Sequence, residues 1–129
     1  MIWQNIKKKD ISRKKSFLKT NEIAILKAKT LLDKGKVVIF DGNFYWKSQI
    51  EDLLHKLDYP HYVFTLKVSL KTCIRRDKER ARKHGKDAAT AVYKKSTSFK
   101  YGIEIDTENK NPEETLREII SHLKRLRKI

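Results

Sequence analysis

The stretch Val37-Val38-Ile39-Phe40-Asp41-Gly42-Asn43-Phe44-Tyr45-Trp46 constrains this chain most. Its first four residues are apolar without alternation, β-branched or aromatic, and the run lies between Gly35 and Gly42. A continuous apolar run of that length predicts a strand buried on both faces. Such strands belong to parallel α/β sheets, whose ligands bind at the carboxyl ends of the strands. Asp41 stands at that end, where a carboxylate can hold a metal-bound water or a substrate hydroxyl, or can merely cap the next loop.

The rest of the chain alternates in the same sense. A helix is expected after Thr20 or Asn21 as cap, with Ala24, Ala28, Leu31 and Leu32 at helical spacing and Gly35 as its end. Residues 1–19 form a basic segment, with Lys7-Lys8-Lys9 and Arg13-Lys14-Lys15, read as a solvated face or a mobile arm. Ser48 and Glu51 have capping-box spacing ahead of Ile50, Leu53, Leu54 and Leu57. A strand is predicted over 61–68. Ser69 caps a further helix with Leu70, Cys73 and Ile74 inside and Arg75 to Lys83 outside. His84-Gly85 breaks that pattern, and 88–95 reads as helix again. Gly102 to Thr107 is a short strand. Asn111-Pro112-Glu113-Glu114 then starts a helix with an N-cap, a proline at the first position and acids at the positive dipole end. Strands alternating with helices predict a three-layer α/β fold with a mainly parallel sheet.

A chain of 129 residues suits one domain, 1–129. The formal net charge of +15 attracts polyanions, so RNA is one expected partner class, although no RNA-binding motif is present. Composition set by high temperature or AT-rich coding gives a similar bias. The single cysteine, Cys73, rules out an internal disulfide and suits a reducing cytoplasm. No membrane span or signal peptide is legible, and His55, His61, His84 and His122 have no metal-ligand spacing.

Together, Val38-Ile39-Phe40-Asp41-Gly42-Asn43-Phe44-Tyr45, Cys73-Ile74-Arg75-Arg76-Asp77, Gly85-Lys86 and Ile105-Asp106-Thr107 with Pro112-Glu113-Glu114 resemble the P-loop small-molecule kinases. The likeness is particularly to the group containing adenylylsulfate kinase, and it covers roughly 23–126. It implies an ATP-dependent phosphotransferase using Mg²⁺, with the γ-phosphate passing to a small hydroxyl-bearing or nucleotide acceptor. It further implies that Asp41 and Asn43 face substrate and the metal shell. Residues 75–95 would form a lid, with Arg75, Arg76, Arg80 and Arg82 closing over phosphates, Arg76 and Arg80 as its catalytic cations. Arginine suits that task because its planar donor fork matches phosphate oxygens. Thr107, Asn111 and Pro112 would lie beside the adenine base. The alternative for the arginines is an ordinary solvated helix face with Asp77 and Glu79 as neighbours.

One part of the pattern is missing. No Gly-x-x-x-x-Gly-Lys-[Ser/Thr] occurs among Gly35, Gly42, Gly85 and Gly102. The phosphate cradle needs glycine backbone, a helix amino terminus and a lysine at one place. The resemblance thus implies the later two thirds of a kinase, an incomplete P-loop fold that is truncated, split or inactive as it stands. The strands at Val37 and Val63 must then pair directly or take the missing strand from a second chain or a further copy of this one. The rival function classes are a basic RNA-binding module and a protein-interaction module with open strand edges.

Overall fold

No glycine or proline interrupts the chain before Gly35, and in the computed structural model that stretch is one helix, α1 (Ile2–Asp33). The structure describes residues 2–80 and 83–127. They form two compact units, 1–61 and 62–129.

In the first unit, the expected basic arm is the amino-terminal part of α1. Thr20 and Asn21 do not cap a helix, because nothing breaks the one already running. The Thr20 hydroxyl donates back to the Ser16 carbonyl at 2.9 Å. Asn21 is buried and its Nδ2 donates to the Gln49 carbonyl at 3.0 Å. The helix ends where the sequence predicts. Gly35 takes φ +77°, its N–H donates to Leu32 O, and the Lys36 N–H donates to Leu31 O. This double closure needs a left-handed residue, which glycine adopts without steric cost.

Helix α2 (Lys47–Lys56) begins one residue ahead of the expected capping box, with Trp46 at the N-cap position but no side-chain hydrogen bond from it to the helix start. Trp46 is held instead by rings: Phe17, Tyr45 and Trp46 lie within 5.5–6.0 Å of one another, centroid to centroid. Packing of the aromatic cluster therefore sets the helix start, not the Ser48–Glu51 pair. Ile25 and Ala28 of α1 form a core with Leu53 of α2 and the adjoining Leu57, and Leu32, Val38, Phe40 and Phe44 pack against it.

The stretch Val37–Phe40 is extended but is not part of a sheet among the described residues, which corrects the expectation of a doubly buried strand. Val38 and Phe40 face the helices, whereas Val37 is 89% and Ile39 84% exposed. The unit offers cover for one face of this segment and none for the other.

The second unit contains β1 (Phe64–Lys67), α3 (Leu70–Glu79), α4 (Lys86–Ser96), β2 (Ile103–Asp106) and α5 (Pro112–Arg127). β1 and β2 pair in parallel, Phe64 opposite Ile103 through Lys67 opposite Asp106. The parallel connection is the crossover that alternating strands and helices predict. Ile105 is fully buried, and α5 packs along β2. The Ser69 cap forms as expected, with Ser69 Oγ accepting from the Thr72 N–H at 3.2 Å. So does the start of α5: Asn111 Oδ1 accepts from the Glu114 N–H at 2.9 Å. Leu70, Cys73 and Ile74 are only half-buried, however, while Thr72 and Asp77 are buried. The buried positions of α3 are polar because Thr72 meets the turn after β2 and Asp77 the turn into α4.

Gly102 enters β2 at φ +69°, and a Cβ added there would press on the Val63 carbonyl group. Gly102→Ala should therefore destabilise the fold by about 2 kcal/mol in urea unfolding. Gly42→Ala, with open space around it and no positive φ, should stay within ~0.5 kcal/mol of the parent.

Candidate active site

The carboxyl ends of β1 and β2 are joined by a polar corner. The Thr107 N–H donates to the Lys67 carbonyl at 2.7 Å, and its hydroxyl donates to the same oxygen at 3.0 Å. Arg76, from the second turn of α3, reaches the same residue. Its guanidinium donates to the Thr107 carbonyl at 3.0 Å and to Thr107 Oγ1 at 3.3 Å. Arg76 and Thr107, two of the residues singled out from the sequence, are thus in direct contact.

Beside them, Glu108 reaches back to the first turn of α3. Its carboxylate accepts from the Ser69 N–H at 2.9 Å, from Ser69 Oγ at 3.3 Å and from Thr72 Oγ1. These bonds, the Ser69 N–H first and the Thr72 hydroxyl next, hold the Glu108 pKa below its ordinary value. The Glu108 N–H is itself held by Asp106 Oδ1 at 2.9 Å, which aims the side chain. Asn109, at φ +58°, turns the chain toward Asn111 and Pro112 at the start of α5. Cys73 is half-buried between these groups; burial raises its thiol pKa and the nearby Arg76 charge opposes that rise.

A second carboxylate organises the other end of α3. Asp77 is buried and accepts from the His84 N–H at 3.1 Å and the Gly85 N–H at 2.9 Å. The bond from His84, then that from Gly85, lowers its pKa. Asp77 thereby fixes the turn into α4, where Gly85 takes φ +94°.

The remaining candidates are placed as follows. Arg75 and Arg80 are exposed at and just after the carboxyl-terminal half of α3. Arg82 lies outside the described residues. Asn111 ends the turn that follows Thr107 and Glu108, and Pro112 is the first residue of α5. Asp41 and Asn43 are exposed and belong to the first unit. Sequence reasoning missed Glu108. Its signal was an acid directly after the strand-end Asp106-Thr107 pair, opposite two hydroxyl residues three apart at Ser69 and Thr72.

A nucleotide needs backbone N–H groups free for its phosphates. At the first turn of α3, at the His84–Gly85 turn and at the first turn of α5, such groups are already bonded to Glu108, Asp77 and Asn111. These three turns of the second unit are therefore engaged by the chain's own side chains and do not fit a triphosphate cradle.

A parallel strand pair with polar groups at its carboxyl ends and an arginine-bearing helix beside it is an α/β arrangement whose candidate site lies at the strand ends. The chain belongs to the chloramphenicol phosphotransferase-like protein family, whose model matches residues 5–124. That family lies within the P-loop kinase superfamily and suggests a kinase-like phosphotransferase. No curated protein and no solved structure matches the chain.

The lowered pKa values of Asp77 and Glu108 have a defined sign. Each carboxylate contributes stability that is fully present above the ordinary carboxylate range, near pH ~4, and is lost as pH falls through the lowered folded value. Asp77→Asn and Glu108→Gln should each reduce stability at pH 7 and flatten the acid limb of unfolding below pH ~4, read by circular dichroism.

Proposed function

We propose that this chain is the lid and base-side part of an ATP-dependent phosphotransferase. The phosphate cradle comes from a polypeptide segment outside these 129 residues. The observation that carries the proposal is the Arg76–Thr107 contact at the carboxyl ends of two parallel strands, in a chain of the chloramphenicol phosphotransferase-like family. The family match runs through the residues of both compact units.

In this scheme Thr107, Asn111 and Pro112 form the wall beside the adenine. Arg75, Arg80 and Arg82 bring positive charge to the phosphates, as phosphoryl transfer requires. Asp41 and Asn43 serve the acceptor. The acceptor is a small hydroxyl-bearing or nucleotide molecule. Chloramphenicol, which gives the family its name, is hydroxyl-bearing, and adenylylsulfate is the nucleotide alternative. Arg76 orders the nucleotide turn through Thr107, because its donors already meet that residue.

The Val37–Phe40 segment supports the need for a further segment. An extended apolar run with Val37 and Ile39 exposed gains from a covering strand, about 1.5–3 kcal/mol for each side chain removed from water. A segment that brings both a strand and a glycine-rich cradle would meet both needs.

The test is reconstitution. Addition of a P-loop-bearing kinase segment should give Mg·ATP turnover that neither part shows alone. Asp41→Asn should lower that turnover by about 100-fold or more. Salt-sensitive RNA binding in fluorescence anisotropy, without turnover under any complementation, would overturn the proposal in favour of a basic RNA-binding module.

A further inference from the structure

We propose that Glu108 is a positioning residue that couples the turn after β2 to the lid helix α3, so that whatever settles in residues 107–111 also sets α3. The proposal takes its functional meaning from the nucleotide-turn assignment above, but its structural core stands without it.

The Ser69 hydroxyl already caps α3 locally through the Thr72 N–H, so the helix does not need a distant acid for its start. Yet Glu108, from the far side of the crossover, takes three further donors from that one turn: the Ser69 N–H, Ser69 Oγ and Thr72 Oγ1. Thr72 is itself buried, so its hydroxyl gains from a protein partner. One turn further along, Arg76 bonds the carbonyl and hydroxyl of the adjoining Thr107. The dipeptide Thr107-Glu108 is therefore fastened to two successive turns of α3, and Thr107 is fastened to the end of β1 as well. The same helix ends in Asp77, which holds the turn into α4 through His84 and Gly85. A displacement of Glu108 thus reaches the arginine-bearing part of the chain through one rigid helix, a continuous set of bonds rather than a through-space effect.

The chemistry asks for a carboxylate in particular. All three groups that face it are donors, and both its oxygens accept. A glutamine of the same size turns an NH₂ group toward one of those donors, which separates charge and acceptor capacity from bulk.

The test is a mutant cycle on the full chain read by amide hydrogen exchange, with Glu108→Gln and Asn111→Ala, the latter removing the side-chain cap of α5 and loosening the turn. In the parent, Asn111→Ala should speed exchange in 107–111 and also in 69–76, by about threefold or more. In the Glu108→Gln background, 69–76 should already exchange faster, and adding Asn111→Ala should change only 107–111. Exchange in 20–33 of α1 serves as the reference and should not move. Equal acceleration of 69–76 by Asn111→Ala in both backgrounds overturns the coupling, as does unchanged exchange of α3 in Glu108→Gln. If Glu108→Gln unfolds the second unit, Thr72→Val, which removes one donor and keeps the carboxylate, replaces it in the cycle with the same expected and contrary outcomes. Addition of Mg·ATP to the parent chain complemented with a P-loop-bearing kinase segment separates the two proposals. Protection of both 107–111 and 69–76 supports each of them. Absence of any protection, with the mutant cycle positive, overturns the nucleotide assignment and leaves the coupling standing.

Discussion

Two paired strands of four residues are too short to hold a fold by their own ladder, so the second unit depends on the bonds that close their carboxyl ends. Thr107 ties β2 to the Lys67 carbonyl of β1, Arg76 ties α3 to Thr107, and Glu108 ties the first turn of α3 to the same place. Each donor is matched to an acceptor in a region where Thr72 and Thr107 are buried, and unmatched groups there would be costly. The polar corner is thus at once what holds α3 in place and what makes the strand ends a candidate site. Stability and function draw on the same few residues.

Much of the second unit was legible from sequence because its signals are local. Ser69 before a helix, Asn111-Pro112-Glu113-Glu114 and Gly85 before α4 each act within a few residues, and each does what its chemistry predicts. The first unit was less legible because its decisive contacts are distant. Asn21 looks like a cap in isolation and becomes an interior donor to Gln49, 28 residues away. Ser48 loses its capping role to Trp46, whose position is set by Phe17 and Tyr45. The Val37–Phe40 run reads as a doubly covered strand because its composition is that of one; only one face finds cover in the described residues.

The candidate site divides the same way. Arg76 and Thr107 follow from the motifs that resemble the P-loop small-molecule kinases, and they meet in the structure. Glu108 escaped notice, and Asp77 was read only as a motif residue and a neighbour of the arginines, because the backbone donors a carboxylate accepts are set by distant chain. Their roles come from which N–H groups happen to lie opposite, and that is a property of the tertiary fold. The missing glycine-rich cradle, by contrast, is plain in the sequence, and in the second unit three sets of gathered N–H groups are taken by the chain's own side chains.

Titration of the purified chain with Mg·ATP by calorimetry at moderate salt tests the central point most directly. A chain that holds the base-side turn and the lid but no cradle should show no binding in the micromolar range. Micromolar, Mg²⁺-dependent binding would contradict that picture: it would mean that these residues build a complete triphosphate site without a P-loop.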